Sequence, residues 1–279
     1  MIKSINYWAF PGGWEEKLSP IDAISMAKEA GFEAIELAFG EGEFLSYNTN
    51  PKKIKEYSDH AKKVNIKISS LASVNYFKYP FASNDRKKVI KSKETVKKMI
   101  ETANLLNIDA IMVIPGMVEN LLYPEEAIIP YDIVYEKSLD ALQELKKFAE
   151  DAKVYVCAEN VWNKFLLSPL EFRDFIDKVN SPYVGIYFDV GNVLILGYPE
   201  HWIRILGNRI KRIHVKDFKK SIGTIDGFCD LLEGDVNFPE VIKSLKDINY
   251  KSFITADVMP AVEGLAIRTS KAMDKIFKL

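Results

Sequence analysis

Short apolar segments alternate with longer amphipathic segments along the whole chain. The short segments have the length of buried strands, and the longer ones repeat apolar residues at the helical period. We therefore predict eight strands and eight helices in alternation. The predicted strands are residues 2–8, 32–39, 66–72 and 110–114, followed by segments that end at or near Glu159, Asp189, His214 and Asp257.

Helix boundaries are marked by proline and glycine. Ser19-Pro20, Ser168-Pro169 and Phe238-Pro239 have the pattern of helix starts, and Gly31 is placed to end the first helix. The predicted helices are residues 20–30, 51–64, 85–106, 132–152, 169–179, 199–206, 238–248 and 264–277. No linker or composition break interrupts residues 1–279, so we predict one domain.

Strict strand–helix alternation is typical of α/β proteins, and the count of eight predicts a single (β/α)8 TIM barrel. A doubly wound sheet is the competing architecture, and it would need a glycine-rich phosphate-binding turn after the first strand. Pro11-Gly12-Gly13 follows that strand but lacks the GxGxxG spacing, and the chain contains no GxxxxGK[ST] motif. The barrel is therefore favoured.

Four consecutive predicted strands end in residues that can bind a metal, namely Glu159, Asp189, His214 and Asp257. Each of these residues lies on the strand face opposite an aliphatic stripe. In the Asp189 strand, for example, the stripe is Val184, Ile186 and Phe188. Because helices cover the outside of a parallel barrel, the polar face points inward and the four side chains meet at the carboxyl ends of the strands.

Three carboxylates and one imidazole form a mixed oxygen and nitrogen donor set. Such a set suits one divalent metal ion; Mn2+ is favoured, and Co2+, Mg2+ and Zn2+ are alternatives. Each residue alone also has a structural interpretation: Asp189 as a turn residue, His214 as a core histidine, and Asp257 as an ion-pair partner of Lys216 or Arg212. The joint pattern favours the metal site.

Composition narrows the function classes. The chain is 48% hydrophobic and 28% charged, with a formal net charge of −1. This balance gives no electrostatic case for nucleic acid or a membrane as partner. The two cysteines and the absence of a long apolar segment at the start indicate a cytoplasmic protein. The sequence leaves open whether the protein forms a homo-oligomer.

Several motifs resemble those of the xylose isomerase-like TIM-barrel superfamily of sugar isomerases and epimerases. They are Glu159-Asn160, DVGN at 189–192, HVKD at 214–217 and EGDVNF at 233–238. The chain is most similar to the branch of ketose 3-epimerases and L-ribulose or L-xylulose 5-phosphate 3-epimerases. The resemblance implies that Glu159, Asp189, His214 and Asp257 bind the metal. Two departures are Asp257, where the family normally has glutamate, and Asn192, where ketose epimerases often have histidine.

The resemblance also implies roles in catalysis and substrate binding. Glu159 and Asp257 are the expected catalytic pair, which lie on opposite faces of a small-molecule sugar or sugar phosphate. We expect the following residues to contact the substrate: Lys216, Lys220, Asn192, Glu36 and Trp162.

The implied reaction is 3-epimerisation of a ketose or ketose phosphate through a metal-stabilised enediolate. Alternatives that remain open are an inosose dehydratase or keto-inositol isomerase and a non-catalytic sugar-binding barrel. A DNA-repair endonuclease of the same fold is excluded, because its three-zinc site needs many histidines and this chain has three: His60, His201 and His214.

Overall fold

Eight parallel strands close into a barrel in the computed structural model, which describes residues 1–279. Around the barrel the strands follow the order β1-β10-β7-β6-β5-β4-β3-β2. The barrel strands are β1 (Ile2–Asn6), β2 (Ala34–Ala38), β3 (Lys67–Ala72), β4 (Ala110–Val113), β5 (Tyr155–Glu159), β6 (Val184–Asp189), β7 (Ile210–Val215) and β10 (Phe253–Ala256). The predicted TIM barrel is confirmed.

Eight of the nine helices cover the outside of the barrel, and the short third helix lies at its carboxyl end. The helices are α1 (Pro20–Glu29), α2 (Pro51–Lys63), α3 (Asn75–Lys78), α4 (Arg86–Leu106), α5 (Tyr131–Ala152), α6 (Pro169–Val179), α7 (Pro199–Leu206), α8 (Phe238–Asp247) and α9 (Leu265–Ile276). Ser19 and Ser168 accept backbone N–H groups at the starts of α1 and α6, where proline follows each serine. Gly31 follows the end of α1 with a φ of 89°, a conformation that glycine adopts readily.

Apolar and polar side chains occupy opposite faces of the barrel strands, as the alternation along each strand predicts. In β6, β7 and β10 the aliphatic residues Ile186, Ile213 and Ile254 are buried on the face opposite the predicted metal ligands. Polar side chains fill the interior instead. The Tyr187 hydroxyl lies 3.4 Å from Thr255 Oγ1 across the barrel, and Arg212 donates to the carbonyl of Ser69 at 3.1 Å. The interior is therefore a packed polar layer below the site.

The structure adds several short elements that the hydrophobic pattern does not predict. The chain turns after β1 into a 3-10 helix at Tyr7–Ala9, so the first strand ends two residues earlier than predicted. The four-residue helix α3 follows β3. Strands β8 (Asp217–Phe218) and β9 (Phe228–Cys229) form an antiparallel pair in the loop after β7. Each of these elements lies at the carboxyl end of the barrel.

Asp217 organises the loop after β7. Its buried carboxylate accepts backbone N–H groups of Phe218, Leu232, Gly234 and Val236 at 2.9–3.1 Å. These bonds satisfy the carboxylate completely and tie HVKD to EGDVNF. Asp217 therefore caps the turn that follows β7.

Two further expectations concern whole-chain properties. Both cysteines, Cys157 and Cys229, are free thiols. None of the helices combines the length and apolar character that crossing a bilayer requires. Cytoplasmic location and oligomeric state stay predictions.

Candidate metal centre

The four predicted metal ligands converge at the carboxyl ends of neighbouring strands. Glu159 and Asp189 are the last residues of β5 and β6, His214 lies near the end of β7, and Asp257 directly follows β10. One donor atom from each residue lies within 4.8 Å of the donor atoms of the other three. We call these four residues the metal group.

His214 lies between two carboxylates. Its Nδ1 is 2.7 Å from Glu159 Oε1, and its Nε2 is 2.9 Å from Glu36 Oε1. Burial alone would lower the pKa of His214, but Glu36 and Glu159 together raise it well above its ordinary value. Burial also raises the pKa of Glu159 to about 7, against the opposing effect of His214. Without a metal, the imidazole therefore carries both protons.

Glu36 positions His214 from below. Its Oε2 accepts hydrogen bonds from the Ser70 hydroxyl at 2.8 Å and the Tyr187 hydroxyl at 2.6 Å, and its side chain is 1% exposed. A carboxylate on one ring nitrogen fixes the tautomer that offers the other nitrogen to a metal. The geometry therefore presents Nδ1 of His214 to the metal group.

The expectation that Glu36 contacts substrate is not supported. Its carboxylate is fully engaged beneath His214 and does not line the cavity above the metal group. The family resemblance placed Glu36 in the site but did not show at which depth it lies.

Lys216 supplies a positive charge to the metal group. Its Nζ lies 3.1 Å from Asp189 Oδ2 and also contacts Asp257. Burial would lower the pKa of Lys216, but Asp189 and Asp257 raise it above its ordinary range. Burial acts to raise the pKa of Asp257, and Lys216 and His214 hold it below its ordinary value. Lys216 thus stays charged. Its contact with Asp257 is the ion pair that the sequence analysis gave as the structural interpretation of Asp257.

A network of amides fixes Asp189. The backbone N–H of Asp189 donates to Asn160 Oδ1 at 2.9 Å, and Asn160 Nδ2 donates to the Asp189 carbonyl at 2.9 Å. The N–H of Asn192 donates to Asp189 Oδ1 at 2.7 Å, and Asn192 Nδ2 donates to the Asn160 carbonyl at 2.9 Å. Asp189 therefore has one oxygen committed to its own turn and one directed at the metal group.

The residues fit a divalent cation. Asp189 Oδ2 is buried and accepts no hydrogen bond, although Lys216 Nζ lies nearby. The Lys216 ammonium offsets part of the cost of burying this oxygen, and a divalent cation held by the same carboxylates would offset more of it. Glu36 and the three carboxylates of the metal group contact only two groups that can carry positive charge, Lys216 and His214. Negative charge therefore exceeds positive charge in the site. Hard oxygen donors with one imidazole are a set that Mn2+, Mg2+ or Zn2+ accepts.

A cavity of about 640 Å³ opens above the metal group. Glu159 and Asp257 line it, whereas Asp189 and His214 lie beneath. Lys216, Asn192 and Trp162 also line the cavity, where the sequence predicts substrate contacts.

Lys220 is not brought to this cavity. Its side chain is exposed, and its backbone N–H donates to Asp235 Oδ2 at 2.7 Å on the outside of the loop. Lys220 lies in the loop between β8 and β9, a strand pair that the sequence pattern did not show.

Sequence reasoning missed several residues around the metal group. Asn6, at the end of β1, donates from Nδ2 to Asp257 Oδ1 at 2.5 Å. Ser70 and Tyr187 hold Glu36, and the Tyr187 ring packs against His214 with centroids 4.1 Å apart. Asn6 and Tyr187 share the inward parity of their strands, which is the signal that could have identified them.

The chain is similar to known proteins in sequence and in fold. The chain is 28% identical over 252 residues to the "Putative L-ribulose-5-phosphate 3-epimerase SgbU" of Haemophilus influenzae, covering 85% of this chain and 81% of that protein. A crystal structure of a D-tagatose 3-epimerase-like protein superimposes with a TM-score of 0.79 at 20% identity, covering 100% of this chain and 97% of the other. The IolI protein, solved with a zinc atom, gives 0.77 at 16% identity, with 100% and 98% coverage.

The family model for the xylose isomerase-like TIM barrel matches residues 24–272, which include the whole metal group. The chain belongs to the xylose isomerase-like TIM barrel family.

Proposed function

We propose that the protein is a divalent-metal-dependent sugar isomerase that inverts the carbon next to a ketose carbonyl, a 3-epimerase. The observation that carries the proposal is that Glu159 and Asp257 line the cavity while the other two members of the metal group lie beneath it. The sequence relative from Haemophilus influenzae, whose name describes a 3-epimerase, and the tagatose 3-epimerase-like structure support the reaction class.

Inversion requires a base on one face of the substrate and an acid on the other. Glu159 and Asp257 come from strands β5 and β10, which are separated around the barrel by β6 and β7. A substrate held between them has one carboxylate on each side of the reacting carbon. An isomerase that moves a proton between adjacent carbons on one face needs one such base, so the pair favours epimerisation.

Glu159, Asp189, His214 and Asp257 would hold the cation. When bound, a divalent cation polarises the substrate carbonyl and acidifies the neighbouring C–H. The solved IolI structure contains zinc, whereas the excess of carboxylates in this chain favours Mn2+.

Glu159 and Asp257 each carry out one of the two proton transfers. Glu159, which lines the cavity, accepts the proton from the carbon next to the carbonyl. Asp257, whose low pKa keeps it ionised at rest, takes up a proton from solvent and delivers it to the opposite face of the carbon, and Glu159 returns its proton to solvent. Lys216 and Asn6 contact Asp257 and fix its orientation. Trp162, whose Nε1 donates to the Asn192 carbonyl at 2.9 Å, forms a rigid side of the cavity.

Proton exchange with solvent tests this function. The Mn2+-loaded protein is incubated in deuterium oxide with a panel of ketoses and ketose phosphates, quenched with chelator, and analysed by mass spectrometry and chromatography. We expect deuterium at the carbon next to the carbonyl, together with the 3-epimer. The absence of exchange with every sugar would refute the proposal.

Two variants assign the roles. Glu159→Gln and Asp257→Asn should each lower the epimerisation rate by about 100-fold or more, and the metal content of each variant is measured alongside. Glu56→Gln, on the exposed face of α2, is the matched control and should keep the wild-type rate. Exchange at the wild-type rate in Glu159→Gln would show that Glu159 is not the base.

A further inference from the structure

The wall of the cavity above the metal group is apolar. Of its 25 lining residues, 17 are hydrophobic, and they surround a polar floor that contains Glu159, Asp257 and Lys216. Six of the 18 large hydrophobic residues that the whole chain exposes lie around this one cavity. They are Trp14, Leu121, Leu122, Ile225, Met259 and Val262. Exposed apolar residues concentrated at one opening indicate a ligand with an apolar surface.

The charges of the cavity do not suit a phosphate group. Lys216 is the one cationic residue in the lining, and Asp189 and Asp257 already hold its ammonium. Asp226 and Asp230 line the outer part of the cavity and add negative charge there. The nearby Arg268 is engaged by Asp230, with Nε 2.9 Å from Oδ2. A phosphate dianion would therefore meet carboxylates without a free cation.

The usual phosphate position of the fold is also unsuitable. TIM barrels that bind phosphate commonly use the loops after the seventh and eighth barrel strands and the N-terminus of a helix that follows. The loop after the seventh strand carries Lys219 and Lys220, but neither lines the cavity. The loop after the eighth leads from β10 into α9 through Val262, Glu263 and Gly264, and Leu265 begins the helix against the cavity. The segment offers no hydroxyl and no cationic side chain, and it adds the carboxylate of Glu263.

The cavity is larger than a simple sugar. Even at about 30 Å³ for each water-sized heavy atom, the twelve heavy atoms of a hexose take up roughly 360 Å³. The cavity holds about 640 Å³. A sugar whose reacting carbons lie at the metal group leaves the apolar outer part unfilled.

From the charge, the apolar wall and the volume, we infer that the substrate is an unphosphorylated keto-sugar carrying an alkyl or aryl group. The sugar ring lies on the polar floor, and the apolar group lies against Ile225, Val262 and Leu122 at the outer wall. This inference rests on the proposed epimerase function and specifies its substrate class.

Matched substrate pairs test the inference. In the first pair, a ketopentose is compared with its 5-phosphate. In the second, the 5-O-methyl ether of the same ketopentose is compared with its 5-O-phenyl ether. The readout is kcat/KM for deuterium incorporation by the Mn2+-loaded protein. We expect the phosphate to lower kcat/KM by about tenfold or more, and the phenyl group to raise it by about tenfold relative to methyl.

The outcomes separate the inference from the function on which it rests. A higher kcat/KM for the 5-phosphate, or equal values for the phenyl and methyl ethers, would overturn the inference and leave the epimerase intact. Absence of exchange with every compound would overturn the epimerase itself.

Variants of the outer wall provide a second test. Ile225→Asn and Val262→Asn, at positions 59% and 50% exposed, should reduce the phenyl-to-methyl ratio toward one. Leu170→Asn is the matched control, because Leu170 is 52% exposed on α6 and does not line the cavity, and it should keep the ratio. A dimer in size-exclusion chromatography that dissociates on Ile225→Asn would contradict the inference, since the apolar wall would then be a contact between copies.

Discussion

Replacing Glu36 by glutamine should weaken metal binding although Glu36 does not belong to the metal group. The carboxylate is 1% exposed, lies 2.9 Å from His214 Nε2, and is held by Ser70 and Tyr187. Glu36→Gln keeps the size of the side chain and removes its charge. His214 then loses the anion that fixes its tautomer and strengthens its Nδ1 as a donor.

The expected size of the effect follows from the hydrogen bond that changes. A hydrogen bond to a charged group contributes about 1.5–3 kcal/mol and a neutral one about 0.5–1.5 kcal/mol. A difference of roughly 1.4 kcal/mol corresponds to about tenfold in affinity. Partners of metal-binding histidines typically change affinity by about 10- to 100-fold. We therefore expect the Kd for Mn2+ to rise by about 10- to 100-fold in Glu36→Gln.

The assay must separate metal affinity from proton affinity. Glu36 also raises the pKa of His214, so its loss makes the imidazole easier to deprotonate and partly offsets the weaker binding at low pH. Chelator competition at about pH 6 and about pH 8 should therefore show the larger loss at the higher pH. Tyr187→Phe, which removes one hydrogen bond to Glu36, should weaken binding less, and Glu56→Gln should not change it. An unchanged Kd in a folded Glu36→Gln protein would refute the positioning role.

Three further predictions concern charge, protons and the loop after β7. Lys216→Met should tighten Mn2+ binding by about tenfold or more, because it removes a positive charge that contacts Asp189 and Asp257; weaker binding in a chelator competition would contradict this. The raised pKa values of Glu159 and His214 stabilise the metal-free fold at low pH, and this contribution is lost as the pH rises through those values. Because Mn2+ must displace these protons, the increase in Tm on adding Mn2+ should grow from about pH 6 to about pH 8, and a flat profile would argue against the ligand set. Gly234→Ala should lower the free energy of unfolding by about 1–3 kcal/mol in urea, because the added Cβ would overlap the Asp217 carboxylate, whereas an unchanged value would show that the loop adapts.

The sequence predicted the barrel because two independent patterns agreed. Strand–helix alternation indicated the architecture, and the inward parity of Glu159, Asp189, His214 and Asp257 indicated where their side chains meet. The strand register then places them side by side. Asp189 pairs with His214 across β6 and β7, and His214 pairs with Thr255, which lies two residues before Asp257, across β7 and β10. Periodicity along each strand was enough for this part of the site.

The rest of the site depends on depth and on loops, which periodicity does not report. Glu36 faces the barrel interior, as the metal group does. It lies below His214, however, and does not line the cavity. Lys220 lies between β8 and β9, whose two-residue strands are too short for a detectable pattern. The Asp217 carboxylate sets the path of that loop through contacts with residues 15 to 19 positions away.

Anomalous diffraction from crystals of the protein soaked in Mn2+ tests the central claim most directly. We expect a single strong peak at the carboxyl end of the barrel, at about 2.0–2.3 Å from donor atoms of Glu159, Asp189, His214 and Asp257. A peak elsewhere, or the absence of a peak while Lys216 still contacts Asp189 and Asp257, would contradict the claim that these four side chains form one metal site.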